Sequence, residues 1–240
     1  MWYNKSMVQN GFLKKAVFAI LIVIFTLFVV LQTNAQTAQP SSPQFLVTWR
    51  ALNSSVPPFY VGRVLPGARS RITASLELVS NGKLVNLKSQ TIYWYLNDNL
   101  LGGGAGMQRI TFSPYDGTAG TLVLRIELPD FGGKLLMHEV TIPVVRPVAV
   151  IYAPYPNDQF SGSQATVKAL PYFFNASSSA LAFEWSVNGV SVESKEGPDI
   201  LHVNLPGDTP SNSKVNISLT MQNPGDSTMA IASKNLIYQK

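Results

Sequence analysis

Two copies of one strand pattern constrain this chain more than any other feature. Thr91–Gly106 reads TIYWYLNDNLLGGGAG, and Leu181–Gly189 reads LAFEWSVNG. Each holds a single Trp in an aromatic-rich alternating run, with an Asn three residues later: Trp94 and Asn97, then Trp185 and Asn188, 91 positions on. Side chains two apart on a strand share a face, so Ile92, Trp94 and Leu96 point one way, as do Phe183, Trp185 and Val187. Each Trp is therefore placed to anchor the buried face of a sheet. The Asn-, Asp- and Gly-rich residues that follow suit a hairpin turn.

A chain of 240 residues makes one or two domains, and the repeat favours two. Charged residues are sparse, at 13%, while turn-forming Gly and Pro are plentiful. That balance belongs to an all-β protein with many turns. The formal charge of +5 is inflated by Lys5, Lys14 and Lys15, which precede the apolar N-terminal run. Without them 15 basic residues face 13 acidic ones, or +2. No polybasic block or basic stripe with interleaved aromatics occurs, so nucleic-acid binding has no support. The chain has no cysteine, which excludes disulfides, thiol catalysis and Cys-bearing metal sites.

Residues 1–35 read as a membrane-targeting segment. Lys14 and Lys15 precede AVFAILIVIFTLFVVL (16–31), and Gln32-Thr-Asn-Ala35 closes it with a small residue. A secretory signal peptide cleaved after Ala35 has this order, and an uncleaved anchor is the alternative. Either form places the remainder outside the cytoplasm by the positive-inside bias. Residues 36–44 are a polar Thr/Ser/Pro/Gln spacer read as a flexible tether.

Alternating strands then follow in two rounds. Phe45, Val47 and Trp49 open the first, and Val56-Pro57-Pro58 breaks the strand. Ile72–Leu78, the Trp94 strand, Leu122–Leu128 and Leu135–Val145 continue it. Pro143 and Pro147 mark the boundary. Val148–Tyr152, Ala153-Pro-Tyr-Pro156, Ala165–Ala169, the Trp185 strand, Val215–Met221 and Thr228–Tyr238 repeat the order. No sustained 3.6-residue apolar period occurs after residue 35. The expected architecture is two tandem β-sandwiches, over 45–146 and 147–240.

The chain resembles bacterial immunoglobulin-like and PKD-like domains. Those domains run from a Trp strand through an Asn/Asp/Gly turn to a Gly before a long alternating strand. Here that order is Trp94, Asn97-Asp98-Asn99, Gly120 and Thr121–Leu128, then Trp185, Asn188-Gly189 and Val215–Met221. The W-D-F-G-D-G core of PKD domains is absent from both halves, as is the Gly before the second long strand. The resemblance covers most of 43–240 and implies exported, surface-exposed sandwiches.

Catalytic motifs are missing or have a local explanation. His138 and His202 are the only histidines, and no H-x-x-x-H or H-x-x-E-H spacing exists for zinc. Ser211-Asn-Ser-Lys214 matches S-x-x-K, but it follows Pro210, leads into a strand and has no K-T-G partner. The run Gly102–Gly106 fails the G-x-G-x-x-G spacing at Met107 and reads as a mobile hairpin loop. Asp98, Asp116, Asp130 and Asp226 sit in turns, where Asp bonds its own backbone, and no D-x-D-x-D ladder supports calcium. Asn53, Asn175 and Asn216 begin N-x-S sequons. Pro57-Pro-Phe-Tyr60 and Tyr152-Ala-Pro-Tyr-Pro156 read as the kinked first strand crossing between sheets, or as an exposed aromatic patch.

The sequence thus points to a non-catalytic extracytoplasmic protein for adhesion, binding or envelope scaffolding, with no cofactor and no metal. Its expected partners are the membrane, through the N-terminal segment, and a protein or envelope component. Two alternatives stand beside it. One is a cell-envelope hydrolase with an unrecognised carboxylate site; the other is a structural subunit of a surface appendage. Trp94 and Trp185 are the expected core anchors.

Overall fold

The computed structural model describes residues 42–114 and 119–240. The export or anchor segment, the Ala35 cleavage point, most of the spacer and the turn at Asp116 lie outside the described residues. Among the described residues no helix is long and apolar enough to cross a membrane. Gln44–Val79 and Leu84–Lys240 belong to one compact unit. Ser80–Lys83 holds a tight turn, in which Asn81 (φ 51°) and Gly82 (φ 72°) are left-handed.

Sixteen strands are described. The first eight are β1 (Gln44–Ala51), β2 (Ile72–Ser80), β3 (Lys83–Leu84), β4 (Thr91–Leu96), β5 (Asn99–Ala105), β6 (Arg109–Phe112), β7 (Gly120–Leu128) and β8 (Leu136–Val144). β2 pairs with β1 on one side and β6 on the other, both antiparallel. The second sheet runs β5-β4-β7-β8. The inward residues of both sheets meet in one core, which includes Trp49, Ile72, Leu76, Trp94, Leu124, Ile126 and Ile142. The alternation is the cause: Leu122, Leu124, Ile126 and Leu128 are buried, while Val123, Arg125 and Glu127 face out. Each buried aliphatic side chain contributes about 1.5–3 kcal/mol.

The other eight are β9 (Val148–Tyr152), β10 (Gln159–Ser161), β11 (Gln164–Tyr172), β12 (Ala182–Val187), β13 (Val190–Val192), β14 (Ile200–Asn204), β15 (Lys214–Gln222) and β16 (Met229–Gln239). They form sheets β14-β11-β9 and β10-β16-β15-β12-β13. A second core gathers Ile151, Phe160, Val167, Phe174, Trp185, Leu201, Ile217, Leu219 and Leu236.

The first strand crosses between sheets in both rounds, as the proline breaks imply. β9 pairs with β11, Ala153–Pro156 breaks it, and β10 then pairs parallel with β16 in the opposite sheet. In the first round β1 pairs with β2, and after the Pro57-Pro58 loop Gly67 forms a parallel bridge to Val145, just beyond β8.

One expectation is overturned. The Gly102–Gly106 stretch is not a mobile loop, because Asn99–Ala105 is strand β5, paired along β4. Glycine there is a packing requirement: a Cβ on Gly103 would lie 2.2 Å from the Tyr93 ring. The register slips between Trp94 and Tyr95, which leaves Leu101 as the extra residue of a bulge and turns it toward the core. A glycine-rich strand packed under a neighbouring ring looks like a loop to any reading of composition.

Candidate functional site

Both tryptophans sit where the alternation places them, Trp94 fully buried and Trp185 3% exposed. Burial leaves each indole N–H in need of an acceptor. Trp94 Nε1 donates to the Met107 carbonyl at 2.8 Å, and Trp185 Nε1 to the Pro198 carbonyl at 2.9 Å. The Asn three residues after each Trp has a second task besides turning the chain. Asn97 (φ 45°) and Asn188 (φ 51°) hold the left-handed conformation, and each clamps the neighbouring strand with backbone and side chain. Asn97 N donates to Val123 O while Asn97 Oδ1 accepts from Val123 N at 2.9 Å. Asn188 makes the same pair of bonds to Asn216. These residues are structural.

The groups flagged for chemistry are mostly absorbed by local bonds. His138 stacks on Phe45, with ring centroids 5.2 Å apart. Asp130 Oδ1 accepts from Gly133 N, and Asp226 Oδ1 accepts from the N–H and hydroxyl of Thr228, the local bonding expected of turn aspartates. Asp98 instead pairs with Arg125 at 2.6 Å. Ser211 Oγ bonds the Gln239 side chain at the edge of β16, away from any helix. The sequon residue Asn53 bonds the Asn175 side chain, and Asn216 bonds Asn235. Tyr155 is structural, its hydroxyl accepting the Thr166 N–H. Tyr152 and Phe59 stay exposed, at 51% and 64%.

His202 has partners on both ring nitrogens: Thr166 Oγ1 at 2.9 Å on Nδ1 and a Glu196 carboxylate oxygen on Nε2. Sequence spacing hides this hydroxyl–imidazole–carboxylate series, since β11 and β14 join Thr166 to His202 across the sheet and Glu196 comes from the segment before β14. Thr166 offers no oxyanion donor of its own, because its N–H is already given to Tyr155. A hollow of about 450 Å³ nearby is lined by Phe183, Trp185, Val192, Glu193 and Pro198. Ser194 does not reach across it as a nucleophile: its hydroxyl is turned to the carbonyls of Gly197 and Ile200.

The arginines separate one surface from the rest. Arg125 on β7 is flanked by two carboxylates: it bonds Asp98, its Nε lies 3.0 Å from Glu127 without hydrogen-bond alignment, and its guanidinium covers Tyr95. Arg63 lies over the Trp49 ring at 3.6 Å and donates to the Trp49 carbonyl. Arg69 donates to the Asp226 carbonyl at 3.4 Å. Of the arginines among the described residues only Arg125 pairs with a carboxylate, and what sets Arg50 and Arg109 apart is that they share one groove. Both are exposed, and both line a groove of about 220 Å³ on the outer face of β1, β2 and β6, together with Thr48, Thr73 and Ser75. No motif announces this site; it exists only because the β1-β2-β6 register brings three strands together.

The strand order defines the class of fold. In each round one sheet holds the first, second and fifth core strands of a sandwich, and the other holds the third, fourth, sixth and seventh. This is the immunoglobulin-like arrangement, with the fourth strand beside the third. The chain matches no family model and no curated protein. Among solved structures it is similar to the fibronectin(III)-like modules of Clostridium thermocellum CbhA, at 12% identity and TM-score 0.27, over 78% of this chain and 94% of that one. It is similar to the three N-terminal domains of the bacteriophage RB49 Highly Immunogenic Outer Capsid protein, at 13% and 0.42, over 81% and 59%. A structure of a 1.5-MDa bacterial ice-binding adhesin is similar at 11% and 0.31, over 84% and 66%. At these TM-scores the fold assignment rests on the strand order of the chain itself.

Proposed function

We propose that this is a non-catalytic extracytoplasmic protein that works by surface contact, in adhesion, ligand binding or envelope scaffolding. In this reading residues 45–146 and 147–240 are tandem immunoglobulin-like or PKD-like domains, exported by residues 1–35, which are either cleaved after Ala35 or kept as a membrane anchor. The observation that carries it is the outer face of β1-β2-β6. There two arginines with no carboxylate partner among the described residues share a groove with a row of hydroxyls on a sheet. Arginine is favoured at binding surfaces because its planar fork makes several hydrogen bonds at once. A sandwich supplies the frame and does not itself imply a reaction.

The purified full chain is expected to show no turnover on peptidoglycan, peptide, ester or glycoside substrates, with or without divalent metal, and to bind a cell-envelope component. The Thr166–His202–Glu196 series favours a second reading, an envelope hydrolase. Turnover lost on His202→Ala or Glu196→Gln, with the fold intact, makes that second reading the better one.

A further inference from the structure

The outer face of β1-β2-β6 has an ordered chemical pattern. Antiparallel register places Thr48, Ser75 and Arg109 in one cross-strand row, and Arg50, Thr73 and Thr111 in the next. All six side chains face outward, since their alternating neighbours Trp49, Ile72 and Ala74 are buried in the core. Arg109 Nε donates to Ser75 Oγ at 3.2 Å, and Thr111 Oγ1 meets Thr73 Oγ1 at 3.3 Å. One hydroxyl is thus held by a guanidinium and two others by each other. The first acidic residue of the chain, Glu77, lies on the same face one row beyond Ser75 and pairs with neither Arg50 nor Arg109. Arg71, two residues before Thr73, is exposed and adds a further positive charge at the start of β2.

We infer that this groove binds a polysaccharide bearing carboxylate or sulfate groups, an inference that rests on the surface-contact reading given above. Guanidinium groups recognise planar and tetrahedral oxyanions by paired N–H bonds. Hydroxyls both donate and accept, which matches the hydroxyls of a sugar ring between its charges. The pattern spans three strands, about 10 Å at ordinary strand spacing, which exceeds a single small anion. Single-stranded nucleic acid would call for exposed rings to stack on, and here the nearest indole, Trp49, is 7% exposed beneath Arg63. An acidic peptide that adds as a strand would bond backbone along an edge strand such as β1, whereas this groove lies on the face of the sheet.

The test is affinity electrophoresis and titration calorimetry of the full chain at low salt. The probes are polygalacturonate, dextran sulfate, neutral dextran, polyglutamate and single-stranded DNA. Binding is expected to polygalacturonate or dextran sulfate, and which of the two binds tells whether carboxylate or sulfate is the recognised group. Arg50→Ala and Arg109→Ala should each weaken it roughly tenfold. Arg→Lys should restore only part, since lysine keeps the charge and loses the fork. Thr73→Val should lower affinity at constant charge. Equal affinity for polyglutamate or DNA overturns the inference, because charge alone then explains binding. Unchanged polysaccharide affinity in the Arg50→Ala/Arg109→Ala double variant also overturns it, while leaving the surface-contact reading intact. Cleavage of a probe polysaccharide by the full chain instead overturns the surface-contact reading itself.

Discussion

The indole N–H of Trp94 donates to the carbonyl of Met107, thirteen residues on, and Trp185 does the same to Pro198 at the same separation. Each bond ties the central strand of one sheet to the segment leading into the fifth core strand of the opposite sheet. The bond therefore fixes the Trp by a polar contact as well as by packing. Trp→Ala at either position is expected to cost about 3–5 kcal/mol, and Trp→Phe a smaller amount that includes the unpaired carbonyl. With separate cores, Trp94→Ala should unfold residues 45–146 and leave a second transition for 147–240. Denaturant unfolding followed by two site-specific probes checks this, and a single cooperative loss of both contradicts the division.

Asn97 and Asn188 are the next test. Each combines a left-handed backbone with a two-bond clamp on the neighbouring strand. Asn→Ala removes the Oδ1 bond and disfavours the left-handed backbone, with an expected destabilisation of about 1–3 kcal/mol. Asn→Gly keeps the backbone freedom and should recover part of it. Equal stability of the Ala and Gly variants, measured by thermal melting, would mean that the left-handed backbone contributes nothing at these turns.

Gly67 packs against backbone. A Cβ there would lie 2.0 Å from the Phe173 carbonyl oxygen, beside the paired bonds Ser55 N to Phe174 O and Phe173 N to Ser55 O. Since backbone cannot rotate out of the way as a side chain does, Gly67→Ala should destabilise by about 1–3 kcal/mol. An unchanged denaturant midpoint contradicts that close approach.

The N-terminal segment makes a prediction independent of the sheets. A reporter fused after Lys240 should be active outside the cytoplasm only. N-terminal sequencing of the exported chain then distinguishes cleavage, with Gln36 first, from a retained anchor. Cytoplasmic reporter activity contradicts export.

Much of the fold was legible in the sequence, for a physical reason. Alternation such as Leu122–Leu128 against Val123–Glu127 is written by burial on one face, and burial is what assembles the two cores. The short strands β6, β10, β13 and β14 carry too few residues for a period, and β5 is masked by its glycines. The candidate site was not legible. Thr48, Ser75 and Arg109 are ordinary surface residues until the register sets them in a row. The Thr166–His202–Glu196 series was hidden in the same way, its members up to 36 positions apart.

If the β1-β2-β6 face is the working surface, a bound polysaccharide perturbs its arginines directly. The most direct measurement is the NMR response of the arginine Nε–H groups during titration with polygalacturonate and, separately, dextran sulfate. The Arg50 and Arg109 signals are expected to move in step with occupancy in at least one titration, while that of Arg125, flanked by its carboxylates, stays in place. Binding that shifts residues around the Phe183–Pro198 hollow, with Arg50 and Arg109 unmoved, would contradict it.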